Sequence, residues 1–276
     1  MIILLKLLPK RLISRFSGFL CDLKVPGWLL GKIMKGFVKA FKVNMEEAEY
    51  PLSHYKTFNQ FFTRPIKPTT RPVDADPKSV VSPVDAKIIE LGDIKEYDAL
   101  QIKGLPYSVE KLITEKEFSK QFYNGHFITL YLSPRDYHRI HTPFDGKGVA
   151  VEYNRGALFP VNELGLHRIQ NLFAINERLT TFFETSFGKC ALVKVGATNV
   201  GRILTTYDQP WNKKDMKQKH LFHKMDDLHF KKGDELARFE LGSTVILLFS
   251  EGSITFKEHL KSGLSLKMGE VLATVR

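Results

Sequence analysis

The five residues Val245-Ile246-Leu247-Leu248-Phe249 are apolar at every position. A strand sends alternate side chains to opposite faces, so a run with no polar face needs cover on both sides. This requires a strand in the middle of a layered core, not at an edge. Short apolar segments between Gly, Pro and Asp turns recur from about residue 80: Val80-Val81, Ala86–Ile89, Phe127–Leu132, Val149–Tyr153 and Leu192–Val195. That spacing indicates a β-rich domain. Helical stretches are expected around 46–62, 107–122 and 168–184. A chain of 276 residues, 43% hydrophobic, is long enough to bury a sizeable core.

A faint internal echo accompanies the strands. Ser82-Pro83-Val84-Asp85-Ala86-Lys87 resembles His141-Thr142-Pro143-Phe144-Asp145-Gly146-Lys147, and Gly263–Leu272 has a similar turn-then-strand form. Such pieces resemble the hairpins of lipoyl- and biotinyl-type sandwiches. The fold class expected is α+β and β-rich: an antiparallel sandwich or barrel-like core with lipoyl-like hairpin elements, preceded by amphipathic helices.

Those helices hold most of the charge. Residues 1–42 carry nine Lys/Arg and the single acid Asp22, or +8 of the net +11. Leu12, Ile13, Phe16, Phe19 and Leu20 form one helical stripe. After Pro26-Gly27, a second stripe runs through Leu29, Leu30, Ile33, Met34, Phe37, Val38 and Phe41. Lys32, Lys35, Lys39 and Lys42 fall on the other face. An apolar stripe with Trp28, backed by lysines, suits the surface of an anionic bilayer; packing on the body is the alternative. No stretch is long enough to span a membrane. The apolar run at Met1–Leu8 precedes its basic residues, the reverse of a secretory signal. The stripes are too apolar for nucleic acid, and no nucleic-acid motif accompanies the charge. Two distant cysteines, Cys21 and Cys190, form no disulfide framework and fit a reducing compartment. The expected division is 1–45 as membrane-surface helices and 46–276 as one catalytic domain.

Three places carry candidate chemistry: Phe239-Glu240-Leu241-Gly242-Ser243-Thr244, Asp136–Pro143 and Ser82-Pro83-Val84-Asp85. A serine after glycine, at the head of a buried strand, can attack the carbonyl of the residue before it. The glycine lets other groups approach that carbonyl and permits a strained turn. The serine needs a base, usually histidine, and the histidine needs a carboxylate to fix its tautomer. Ser243, His138, His141 and Asp85 supply those residue types. With nine histidines in the chain the types alone are cheap, and a merely structural His138 fits equally well. His138 and His141 stand three apart, but no third ligand accompanies them, so no metal is expected.

The stretch Phe239–Phe249, FELGSTVILLF, resembles the cleavage region of the phosphatidylserine decarboxylases. TFNQFFTR (57–64), QIKGLPY (101–107), LSPRDYHRIHTP (132–143), RGALFPVN (155–162), Asn176-Glu177-Arg178 and VGATNV (195–200) resemble the same family in the same order. The resemblance covers residue 50 to the end; the first 45 residues match only in character.

The resemblance implies self-cleavage between Gly242 and Ser243 into chains 1–242 and 243–276 that stay together as a heterodimer. Ser243 would be the nucleophile and the precursor of a covalent pyruvoyl (pyruvate) cofactor that condenses with the substrate amine. His141 would be the base, Asp85 its carboxylate partner and His138 the residue of the decarboxylation step. Phosphatidylserine would become phosphatidylethanolamine and carbon dioxide at the cytoplasmic face of the cell membrane, with the protein bound peripherally and a higher homo-oligomer admissible. Ala86 stands where the family usually has Gly after the relay aspartate, which is harmless if its φ is negative. Leu158–Val161 is either a lipid-holding segment or core. Two rival readings remain: a pyruvoyl decarboxylase of a soluble amino acid, and a non-catalytic lipoyl-like module on a membrane.

Overall fold

The computed structural model describes residues 10–95, 101–102, 105–106, 108–161, 163–197, 202–208, 215–240 and 243–276. Eight strands form the main sheet: β1 (Ala86–Asp93), β2 (His126–Leu132), β3 (Gly146–Asn154), β4 (Arg178–Thr185), β5 (Gly188–Val195), β6 (His220–Phe230), β7 (Ser243–Phe249) and β8 (Ser265–Leu266). Their order is β6-β3-β4-β5-β7-β2-β1-β8, with every pair antiparallel. β7 is therefore central, and Val245 to Phe249 are all 0% exposed. The neighbours Phe182 and Phe183 on β4 show how both faces are covered. Phe182 packs on Phe118, whereas Phe183 packs on Phe144 and Phe230.

A small sheet joins Arg202–Thr205, Glu235–Glu240 and Arg139–His141, and another joins Ser79–Val81, Val271–Val275 and Ile254–Phe256. The three echoing segments meet. Ser82 N–H donates to Glu270 O at 2.7 Å, Gly269 N–H to Ser82 O at 3.0 Å, and His141 N–H to Pro83 O at 2.8 Å.

Among the described residues three α-helices precede the sheets: α1 (Lys10–Asp22), α2 (Gly27–Phe41) and α3 (Phe58–Phe62). Thr57 caps α3 by accepting from Gln60 N–H at 3.2 Å, while Gln60 Oε1 reaches back to Lys56 N–H. One face of α2 buries Leu30 and Met34 against Tyr55 and Phe61.

The helical expectations need correction. Residues 46–62 hold only a 3₁₀ turn at Leu52–His54 and α3, since Pro51 interrupts the pattern. Residues 107–122 hold short pieces at Val109–Leu112, Lys116–Ser119 and Lys120–Phe122. The break coincides with Glu152, whose Oε1 accepts from the N–H groups of Thr114 and Glu115 at 2.9 and 3.0 Å. Residues 168–184 hold the end of a helix at Glu163–Arg168, one helical turn at Leu172–Ile175 and then β4 from Arg178. The β-branched pair Thr180-Thr181 and the rings of Phe182-Phe183 favour the pleated form. In the segment Leu158–Val161 the two ends are buried in the core, while Phe159 and Pro160 between them are partly exposed.

Candidate active site

The chain changes sheets twice at one place. It leaves the main sheet at Leu132 and enters the small sheet at Arg139; it leaves the small sheet at Glu240 and re-enters the main one at Ser243. The two crossings run side by side. Ser243 pairs with Leu132, and Phe239 N–H donates to His138 O at 3.0 Å. Leu241, Gly242 and the Ser243 side chain lie outside the described residues; Glu240 before them and the Ser243 backbone after them are each paired in a sheet.

A cavity of about 470 Å³ borders this junction. Its walls come from the residue after α2 (Lys42), the segment after α3 (Arg64), Arg71, the head of β1 (Asp85, Ala86), the end of β2 (Tyr131) and the crossing loop (Ser133, Asp136, Tyr137). Ala86 is absent from the residues with positive φ and sits buried in β1, so its methyl group fits.

Asp85 is 7% exposed and fully engaged. It accepts from Arg71 Nε at 2.8 Å and Nη2 at 2.5 Å, and from Met268 N–H at 2.9 Å. Arg71 Nη2 also donates to Glu47 at 2.6 Å. Burial opposes the Arg71 charge, but the hydrogen bonds to Asp85 and Glu47 outweigh it and raise its pKa. No hydrogen bond among the described residues joins Asp85 to His141; Asp85 acts on that ring only as a nearby charge.

His141 has both nitrogens occupied. Nδ1 lies 2.8 Å from Gly233 O, and Nε2 lies 3.0 Å from the Tyr137 hydroxyl. A carbonyl can only accept, so Nδ1 carries the proton and Nε2 presents its lone pair to the phenol. Gly233, in a Lys231–Asp234 turn at φ +91°, thus fixes the tautomer. Burial, ahead of the neighbouring charges, lowers the His141 pKa and keeps the ring neutral.

His138 is the opposite case. It is 0% exposed and stacked on Phe62 at 4.1 Å between ring centres. The carbonyls of Pro134 and Ser133 approach its ring, but neither nitrogen makes a hydrogen bond of normal geometry. Burial, with the Arg64 charge second, pushes its pKa down to about 3.

Of the expected site residues, Asp85 lines the cavity beside the Ser243 junction, His138 lies on the crossing loop and His141 ends the Arg139–His141 strand; Tyr137, not among them, lines the same cavity. Sequence reasoning missed Arg71, Gly233 and the roles of Tyr137 and Arg64. The last two sit inside the motifs quoted above, which was the available signal.

A neutral, partly buried imidazole with a fixed lone pair, on the small sheet from which the chain passes into a strand that opens on serine, is equipment for acyl and proton-transfer chemistry. Comparison with known proteins agrees with this class. The family model described as phosphatidylserine decarboxylase matches residues 58–274. The phosphatidylserine decarboxylase proenzyme of Myxococcus xanthus is 43% identical over 273 residues, covering 99% of this chain and 97% of the relative. Proenzymes of the same name from Yersinia enterocolitica and Aliivibrio salmonicida are 43% and 42% identical, covering 97% and 98% of this chain and 93% and 96% of theirs. The chain belongs to the phosphatidylserine decarboxylase family.

Proposed function

We propose that this chain cleaves itself between Gly242 and Ser243 and then decarboxylates phosphatidylserine to phosphatidylethanolamine on a membrane surface. The observation that carries the reading is the double sheet crossing, which sets the head of β7 against the loop bearing Tyr137 and His138.

In the first step the Tyr137 hydroxyl turns off His141 Nε2 and the freed lone pair takes the Ser243 hydroxyl proton, with Gly233 O holding the ring and Asp85 lending its charge. The oxygen attacks the Gly242 carbonyl and the peptide bond becomes an ester. Loss of the Ser243 α-proton expels the Gly242 carboxylate and leaves dehydroalanine; water then enters at that carbon and ammonia leaves. The two chains stay together because β7 remains paired along its length with β2 and β5, and Val271–Val275 with Ser79–Val81.

The pyruvoyl group so made at 243 supplies a ketone that draws electrons from the carbon bearing the departing carboxylate. His138, fully buried on the crossing loop and with ring nitrogens free of any hydrogen bond of normal geometry, is able to exchange a proton with carbon there. Burial is the main cause that keeps His138 neutral and the Arg64 charge the second; the anionic headgroup offsets that second cause, which favours the protonated ring that returns a proton to the α-carbon.

Membrane contact is supported by the outer surfaces of α1 and α2. Phe16, Phe19 and Trp28 are each more than half exposed, and Lys32 lies over the Trp28 ring at 5.4 Å. No described helix is long and apolar enough to cross a bilayer. Peripheral binding at the cytoplasmic face follows as part of the proposal, as does a lipoyl-like kinship of the three meeting turns.

Intact mass tests the reading. The wild-type protein is expected as two polypeptides with a hydrazine-reactive terminus on the 243–276 chain, and Ser243→Ala as one chain without it. An active wild-type protein that is a single unbroken chain would end the proposal. Sedimentation with vesicles tests the surface: Trp28→Asp should weaken binding to phosphatidylserine vesicles, and unchanged binding removes α2 from the contact.

A further inference from the structure

The segment Thr57–Arg64 has no part yet in the chemistry. It forms a short bridge: Phe58 and Phe61 pack on Phe37 of the membrane-facing helix α2, and Phe62 stacks on His138. Arg64, just beyond, lines the cavity and is 3% exposed. Its Nη2 donates to Arg135 O at 3.0 Å, while Nε and Nη1 are buried without an acceptor. Arg71 on the same cavity has Nε, Nη1 and Nη2 all hydrogen-bonded. A buried guanidinium with unmade bonds is costly, and the cost is relieved when an anion arrives.

We propose that Arg64 anchors the phosphodiester of the lipid headgroup; this rests on the decarboxylase reading above. Two arguments select the phosphate over the substrate carboxylate. The carboxylate loses its charge on leaving as carbon dioxide, so a cation fixed on it would stabilise the ground state more than the transition state and slow the reaction. The phosphodiester keeps its charge throughout, so a cation there strengthens binding without opposing the chemistry. Position agrees as well. In the lipid the phosphate lies between the acyl chains and the serine; in the protein Arg64 lies between α2 and the His138 loop beside the Ser243 junction. Lys42, at the end of α2, lines the same cavity. A bound phosphate also offsets the Arg64 charge, which after burial is the second cause of the lowered His138 pKa.

The test uses the full chain in detergent micelles containing phosphatidylserine. Arg64→Gln should split into two chains as the wild type does, raise KM at least tenfold and leave kcat within threefold. Dimethyl phosphate should inhibit the wild type competitively, acetate at equal ionic strength should not, and Arg64→Gln should be insensitive to dimethyl phosphate. An unchanged KM in a split Arg64→Gln protein overturns the assignment. So does a fall in kcat at constant KM, or equal competition by acetate. Should Arg64→Gln not fold or split, the Arg64 Nε–H resonance of the wild-type protein decides: it should shift on titration with dimethyl phosphate, and a resonance that stays still refutes the anchor. That titration is independent of catalysis, so a wild type that never splits would end the decarboxylase reading while the resonance still judges Arg64.

Discussion

Beside the cavity Arg71, Asp85, Glu47 and Met268 N–H form a closed set of hydrogen bonds; Arg64 on the same cavity and the buried His138 of the crossing loop leave four nitrogens unpaired between them. Both clusters are buried and both contain an arginine. The first is complete within the chain and reads as scaffold: it ties the segment after α3 to the head of β1 and to the C-terminal turn at Met268. The second is incomplete, and buried polar groups left unpaired mark a place where a partner is still to come. The same contrast separates the two histidines, three residues apart. His141 has both nitrogens engaged and its tautomer set, whereas His138 has neither.

The widest expected gap lies between the histidines. His138→Ala should split normally and lose roughly 10²- to 10⁴-fold in decarboxylation, the range of one general acid–base group. His141→Ala should fail to split. A His138→Ala protein that remains one chain would erase the division of labour.

The arginines come next, in unfolding by urea on a Ser243→Ala background that keeps the chain whole. Arg71→Met strips Asp85 of its counter-charge and should cost about 3 kcal/mol or more. Arg64→Met removes a buried cation with two unpaired nitrogens and should stay within about 1 kcal/mol of the parent, on either side. Equal losses would mean that the two clusters serve alike.

Acid should then distinguish the complete from the incomplete cluster. His138 is neutral in the fold, with its pKa at about 3 against 6.5 ordinarily. The unfolded chain takes up the proton as pH falls below the ordinary value, so the fold keeps its full stability above that point and loses it steadily on the way down to the lowered one. His138→Phe should flatten this dependence by about 1.4 kcal/mol per pH unit across the window. An unchanged slope would mean that His138 is charged in the fold.

The smallest effect belongs to Tyr137→Phe. Losing the bond to His141 Nε2 should cost about 1 kcal/mol, or roughly fivefold in splitting rate, seen by following the two chains over time. A larger loss would give the phenol a part in the proton transfer itself.

Much of the architecture was legible in the residues. The apolar run 245–249 demanded a covered central strand, and β7 is central. The segments read as strands became strands because alternation and β-branching act over a few neighbouring residues. The helical reading of 168–184 failed where apolar spacing fits either period. The stripe on α2 gave a helix, yet not the use of each face: Leu30 and Met34 pack inward while Trp28 faces out. The site was legible as a list of residue types and not as a set of pairs. Asp85 was matched to His141, but Arg71 holds Asp85 and the Gly233 carbonyl holds His141.

By itself the sequence determined what depends on near neighbours: a β-rich antiparallel body, two amphipathic helices, and a serine placed at the head of the most apolar strand. Tertiary structure alone decided which polar atoms meet and which are left waiting. A hydrogen bond is set by a few tenths of an ångström and an angle, and groups such as His141 and Gly233 reach that geometry only after the sheets have folded together. No spacing along the chain encodes that distance.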